Sequence, residues 1–314
     1  MTINKVMYNK FNNIINEYDN INIYCHIQPD LDALGSSFGL KYLIETNFSN
    51  KIVSVICQEH NYKFMPQSDN LDETILDKSL AIILDVSKAD RVYNQSFHKA
   101  SKIIRIDHHP DEIEFTDYKI SNSNSASTCE IIVDIAKVNK YKLDSKIASI
   151  LYLGILSDTL AYKTNNTTKE TLLAGAYLLD YDIDLVELNK KVFTSTYENY
   201  KLETFIRNKI IINEKFAYSI ITNQELINNN TTTANAKNCV YLYGQLNNIE
   251  MYALFVENKD NKYDASLRSF KKPINDIAIN YGGGGHLCAS GIKNLTIEEV
   301  NTIINTMTQR SIKE

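Results

Sequence analysis

The sequence contains no tryptophan and only 4 prolines in 314 residues, so linkers have to be found from polarity and from changes of pattern. The missing tryptophan, with the abundance of asparagine, reflects compositional bias and carries no mechanistic information. The 5 cysteines, Cys25, Cys57, Cys129, Cys239 and Cys288, are odd in number, scattered and without a CxxC pair. That argues against a zinc ribbon or a disulfide framework and fits a reducing cytoplasm. No stretch approaches the ~18 apolar residues of a membrane span, and the polar opening MTINKVMYNKFNNIINEYDN lacks the apolar centre of a signal peptide. A basic excess is missing too: 33 Lys and Arg stand against 38 Asp and Glu, a net charge of −5. Without a general basic surface, a long duplex is a poor partner and any nucleic acid bound should be short. The expectation is a soluble, cytoplasmic protein without a membrane partner.

What is present describes a globular protein. Hydrophobic residues make up 44% and charged residues 23%, near the averages for folded domains, which argues against disorder and against a fibrous chain. The length favours two domains. Apolar runs at 21–25, 52–57, 80–84 and 102–106, each bounded by polar segments, read as buried strands, and 34–45 and 128–138 read as helices between and after them. Strand followed by helix predicts an α/β domain with a parallel sheet. Residues 145–157 have helical spacing and end in Asp158, followed by a strand-like 160–163. Charged helices then run to about 212, before strand-like runs at 216–221, 239–246, 251–256 and 264–269; the polar stretch NQELINNNTTTANAKN reads as a surface loop or exposed helix end.

Open parallel sheets place their sites at the carboxyl ends of the strands. There the sequence puts His26, Asp30 and Asp32 after the first run, Asp85 after the third and Asp107-His108-His109 after the fourth. Each alone has a bland reading: a polar loop with a helix cap, an N-cap aspartate, a surface turn before Pro110. Together, His26, Asp30, Asp32, Asp85, His108 and Asp158 suit a pair of metal ions ~3.5–4 Å apart, able to bind the attacking and leaving oxygens of an in-line displacement. Mixed imidazole and carboxylate ligands favour Mn²⁺, Fe²⁺, Co²⁺ or Zn²⁺, of which Mn²⁺ is the choice here. Formal charge does not oppose an anionic substrate, because a metal-loaded acidic site presents positive charge.

HIQPDLDALGSS, the aspartate of ILDVSKADR, IDHHP, GILSDTLAYKT and GGGGHLCASG, in this order, resemble the DHH phosphoesterase family over nearly the whole chain. The resemblance is closest to its short two-domain members that degrade very short RNAs and remove the 3′-phosphate of adenosine 3′,5′-bisphosphate. It implies a catalytic DHH domain over 1–189, a helical linker over 190–212 and a smaller α/β substrate-binding domain over 213–314. It also implies that His26, Asp30 and Asp85 hold one ion, that Asp32, Asp85, His108 and Asp158 hold the other, and that Asp85 bridges them. Asp107 is then expected to orient the neighbouring imidazole, and His109 to face the scissile phosphate. In the C-terminal part, Arg268, Gly283, Gly284, Gly285 and His286 are the implied substrate-binding residues, the glycines letting backbone N–H groups approach a phosphate or base.

One departure is Leu31, where the family commonly has glycine between the two aspartates; its side chain can point away from the ions if its φ is negative. Arg91 reads as an exposed arginine, and Tyr241 and Tyr243 as packing residues. Rival readings are a cyclic or linear di-AMP phosphodiesterase, an inorganic pyrophosphatase or exopolyphosphatase, and a non-catalytic nucleotide-binding protein. The complete ligand set argues against the last, and GGGGH in place of an arginine-lysine motif argues against the pyrophosphatase. A homodimer is compatible with the sequence, which leaves the oligomeric state open.

Overall fold

A computed structural model describes residues 3–110 and 114–313, and the chain divides into two compact units, Met1–Thr194 and Ser195–Glu314. The first unit opens with α1 (Ile3–Glu17), which buries Tyr8, Phe11, Ile14 and Ile15 along one stripe. The asparagines interleaved among those positions hide this helix from a reading of apolar runs. Next come β1 (Asn20–Tyr24), α2 (Leu31–Asn47), β2 (Ile52–Ile56), β3 (Leu80–Leu84), β4 (Lys102–Asp107) and β5 (Tyr118–Ser121). Their strands form one parallel sheet in the order β2-β1-β3-β4-β5. The apolar runs meet in register, Ile23 against Val55 and Ile82, and Ile82 against Ile104.

Every residue of β3 is buried, and each of its Leu and Ile side chains contributes about 1.5–3 kcal/mol by leaving water. The chain leaves β1 toward β2 on one side and β3 toward β4 on the other, so the connections diverge between β1 and β3 and open a crevice at their carboxyl ends. One face of the sheet is covered by α2, α3 (Thr128–Asn139) and α4 (Ser145–Asp158), with α5 (Lys169–Leu179) and α6 (Leu185–Phe193) behind them. The alternate side chains Tyr24, Ile83 and Val86 build a separate cluster with Phe97 on the opposite face. Residues 160–163, strand-like in sequence, form a tight turn instead, with Leu160, Ala161 and Tyr162 at φ 46°, 58° and 62°. The Thr159 hydroxyl accepts from the Tyr162 N–H and the Ala161 N–H returns to Leu156 O, so the chain reverses where a strand would have continued.

The second unit begins with α7 (Tyr197–Asn208) and is built on a mixed sheet of β6 (Ile211–Asn213), β7 (Phe216–Ile221), β8 (Met251–Glu257), β9 (Tyr263–Ser269), β10 (Gly284–His286) and β11 (Ala289–Leu295). Its order is β10-β11-β9-β8-β7-β6. The polar stretch before β8 folds into two short helices, α8 (Asn223–Asn228) and α9 (Thr233–Asn238), started by the side-chain caps Thr222 and Thr232. Residues 239–246 are not a strand but a 3-10 helix, Cys239–Gln245; its apolar residues also fit a period of three, so Cys239 with Leu242 and Val240 with Tyr243 are buried together. α10 (Asn275–Asn280) and α11 (Ile297–Ile312) complete the unit, α11 setting Val300, Ile303, Ile304 and Met307 into its core. The stretch 190–212 contains the end of α6, all of α7 and the first residues of β6, and the division between the units falls inside it. Among the described residues no helix is long and apolar enough to cross a membrane.

Candidate metal centre

Each acidic and imidazole group of the site is held by the start or end of an element. Asp30 is the N-cap of α2: its Oδ1 accepts the N–H groups of Asp32 and Ala33, both at 3.0 Å. Leu31, the departure in this motif, is the first residue of the helix and is buried in the core, away from the carboxylates. The loop before it is pinned by backbone bonds from Ile27 N to Arg91 O and from Tyr93 N to Cys25 O. Arg91 thus meets this loop through its carbonyl, and its side chain is exposed.

Asp85 follows β3 at φ 59°, a left-handed conformation that aspartate tolerates better than most residues. Asp32 is fully buried, and the first turn of α3 grips it: Oδ2 accepts from Thr128 N at 2.7 Å and Oδ1 from Cys129 N at 2.9 Å. The Thr128 hydroxyl also donates to Asp85 Oδ1 at 3.1 Å, so one residue ties two carboxylates together. Thr128 escapes a search for ligand types. The signal that marks its position is Ser127 followed by Glu130, a helix-start pattern whose cap the structure contains.

The donors converge. His26 Nε2 lies 3.7 Å from Asp30 Oδ2 and 3.6 Å from Asp85 Oδ2. His108 Nε2 lies 3.4 Å from Asp85 Oδ1 and 3.5 Å from Asp158 Oδ2. Donor atoms of His26, Asp30 and Asp85 lie within 4.8 Å of one another, as do those of Asp32, His108 and Asp158. In both histidines the other ring nitrogen faces a backbone carbonyl, His26 Nδ1 with Ile27 O at 2.9 Å and His108 Nδ1 with Ser125 O at 3.4 Å. A carbonyl can only accept, so Nδ1 carries the proton and Nε2 is the atom offered to the carboxylate cluster.

Asp107 is fully buried, and its Oδ1 accepts from both the backbone N and the ring Nδ1 of His109, at 3.1 and 2.8 Å. The His109 side chain is 46% exposed, and the same Nδ1 lies 3.5 Å from Asp85 Oδ1. Its donor atoms also come within 4.8 Å of those of Asp85 and His108, which puts it at the rim of the cluster.

The electrostatics are those of a cation site. Burial, reinforced by neighbouring Asp85, raises the carboxyls of Asp32 and Asp158. Burial also opposes charge on His26, but the side-chain bonds to Asp30 and Asp85 outweigh it and raise the imidazole to about 10; His108 is raised likewise by Asp85. Burial works against ionised Asp85, yet the two imidazoles hold it far below the usual carboxylate range. Crowded carboxylates that recruit protons this way would exchange them for divalent cations, and the donor set fits such ions.

In the second unit, strand pairing sets His286, Ala289, Arg268 and Tyr252 opposite one another in a single row across β10, β11, β9 and β8. Residues directly opposite in antiparallel strands share a face, so Arg268 and His286 flank the small Ala289. Arg268 Nη1 donates to Leu267 O at 2.8 Å. The glycines serve the hairpin first: a Cβ at Gly283 would fall 2.3 Å from Gly291 O, and one at Gly285, where φ is 138°, would fall 2.5 Å from Ala289 O. Gly282 and Gly284 stand clear of neighbours.

The chain is similar to known proteins over nearly its whole length. Residues 20–155 match the family model described as the DHH family, N-terminal domain, and residues 213–312 match the DHHA1 domain. A Streptococcus mutans protein named "Probable bifunctional oligoribonuclease and PAP phosphatase NrnA" is 34% identical over 91% of this chain and 93% of its own. Its Bacillus subtilis counterpart is 30% identical over 92% and 94%. A Bacteroides fragilis crystal structure, titled an exopolyphosphatase-related protein, superposes with a TM-score of 0.83 at 25% identity, covering 98% of this chain and 96% of that one. Fold, site and relatives together define a metal-dependent hydrolase of phosphate esters. The chain belongs to the DHH phosphoesterase family, with a DHHA1 domain following the DHH domain.

Proposed function

We propose that this protein hydrolyses very short oligoribonucleotides to mononucleotides and removes the 3′-phosphate of adenosine 3′,5′-bisphosphate, using two divalent ions, Mn²⁺ in the first instance. The observation that carries the reading is the pair of imidazoles, each with Nδ1 tied to a carbonyl and Nε2 aimed at Asp85, which lies between them. His26, Asp30 and Asp85 would hold one ion, and Asp32, Asp85, His108 and Asp158 the other. Ions so placed would supply Lewis acidity toward the phosphate and lower the pKa of a bound water.

The remaining residues act on the substrate. Asp107 fixes the ring of His109 through Nδ1, leaving Nε2 to stabilise phosphate charge or give a proton to the leaving oxygen. Arg268 and His286, one on each side of Ala289, bind the terminal phosphate of a short substrate and so limit its length. The names of the Streptococcus and Bacillus relatives support this choice of substrate. The absence of a basic excess supports short partners over long duplexes, and the scattered cysteines support a reducing, cytoplasmic setting.

The test separates recognition from chemistry. Arg268→Ala or His286→Ala should lower kcat/KM for a 5′-phosphorylated dinucleotide about tenfold to a hundredfold, the loss of a charge-assisted contact of roughly 1.5–3 kcal/mol. Both variants should hydrolyse bis(4-nitrophenyl) phosphate, which has no terminal phosphate, at close to the wild-type rate, whereas His108→Ala fails on both. Loss of bound metal or of both activities in His286→Ala would refute this division of labour.

A further inference from the structure

Arg105 is the largest fully buried side chain of the chain's described residues, with no exposed surface, in a strand otherwise made of Lys102, isoleucines and Asp107. Burying a guanidinium is costly unless it is paired and hydrogen-bonded, so its surroundings say what it is there to hold. Arg105 and Asp107 are two apart on β4 and share a face, and Nη1 lies 3.5 Å from Asp107 Oδ2. The same nitrogen donates to Ser87 O at 3.3 Å, in the backbone two residues beyond Asp85. Nη2 lies 3.7 Å from Glu114 Oε2, and the guanidinium sits over the Phe115 ring at 5.6 Å. The cation therefore touches the carboxylate behind His109, the backbone leaving Asp85, and the side chains of Glu114 and Phe115.

We propose that Arg105 is the positioning residue of this site: it holds Asp107 with Oδ1 turned to His109, and so sets the direction in which His109 presents Nε2 to the phosphate. The two oxygens of Asp107 divide the work. Oδ2 faces Arg105, while Oδ1 accepts from the His109 backbone N–H and ring Nδ1. Without the guanidinium the carboxylate can rotate about its χ2, a broad two-fold torsion, and the ring bond goes with it. This inference rests on the reading of His109 as the group that meets the phosphate, and extends it to a residue that contacts neither substrate nor, in the proposed ligand set, an ion.

The experiment is a double-mutant cycle on the full-length, metal-loaded protein with a 5′-phosphorylated dinucleotide, recording kcat, KM and bound metal per chain. Arg105→Met should lower kcat by about ten- to a hundredfold with KM and metal content unchanged, the usual cost of losing a group that orients an active-site imidazole. Arg105→Lys, which keeps the charge, should recover part of it. In a His109→Ala background, Arg105→Met should change kcat by less than about twofold, because what it acts through is already gone. Multiplying losses, loss of metal, or unchanged kcat in Arg105→Met would each overturn the proposal. If Arg105→Met does not fold, the same cycle with Arg105→Lys decides by the same non-additivity. A fully active His109→Ala would instead sink the reading of His109 itself, a result distinct from an impaired His109→Ala whose loss multiplies with that of Arg105→Met.

Discussion

Asp85 shows how one position can be both a backbone problem and a chemical centre. Its left-handed φ of 59° sets the carboxylate between His26 and His108, and a β-branched residue there would be strained whatever its charge. Asparagine tolerates this conformation nearly as well as aspartate. Asp85→Asn should therefore keep the backbone conformation and the fold and yet lose on the order of a hundredfold or more in activity. An Asp85→Asn variant with wild-type turnover would remove the shared-ligand assignment. The aspartates and histidines of the site are legible in the sequence because each follows an apolar run, where a parallel sheet puts its ligands. Arg105 and Thr128 are not. A charge within a strand reads as an exposed position, and only the fold shows that Asp107 and Ser87 O meet it inside. Thr128 grips Asp32 through a backbone N–H that every residue but proline possesses, and its hydroxyl, which donates to Asp85, is not a metal-ligand type.

Among the elements, β1 to β4 and α2 to α4 are legible from their apolar runs and spacing, whereas α1, hidden by its asparagines, and the short β5 are not. Residues 160–163 and 239–246 have more than one reading: short, partly apolar runs with mixed spacing suit a strand, a turn or a 3-10 helix, and only the neighbouring chain decides. The approach of α4 to α2 carries the consequence for function. Gly154 on α4 faces the base of the site, where a Cβ would fall 2.3 Å from Cys129 Sγ and 2.9 Å from Asp32 Oδ1. Those atoms belong to the α3 turn and to the carboxylate it grips. Gly154→Ala, a small and helix-favouring change elsewhere, should here destabilise the protein by about 1–3 kcal/mol through overpacking and weaken metal binding by shifting Asp32. Thermal melting with and without Mn²⁺ checks both effects; unchanged stability and metal affinity would mean that the two helices have slack between them.

Across the whole molecule, the cluster couples stability to pH and to metal. His26 in the metal-free fold is raised from 6.5 to about 10, so the fold binds the proton more tightly than the unfolded chain does. The stabilisation from this group is fully present below pH 6.5 and is lost as pH rises through about 10. His108, Asp32 and Asp158, all raised, act in the same direction. Metal-free protein should thus lose stability on going from about pH 6.5 to 10, while added Mn²⁺ displaces the protons and raises the melting temperature more at the alkaline end of that window. A metal-induced rise that shrinks with pH would contradict it. The two-unit organisation is legible from length and from the change of pattern after residue 180, and the division between Thr194 and Ser195 falls inside the linker read over 190–212, with charged helices on both sides of it.

In the proposed function, Asp85 and its neighbours hold two divalent ions without which no phosphate ester is cleaved. The direct measurement strips the protein with a chelator, returns Mn²⁺ in steps, and follows bound ions per chain beside the hydrolysis of a 5′-phosphorylated diadenylate. Activity should be absent in the stripped protein and return as occupancy approaches two ions per chain, with Asp85→Asn binding less and staying inactive. Full turnover in chelator with no residual metal, or an Asp85→Asn variant that fills both sites and cleaves normally, would contradict it.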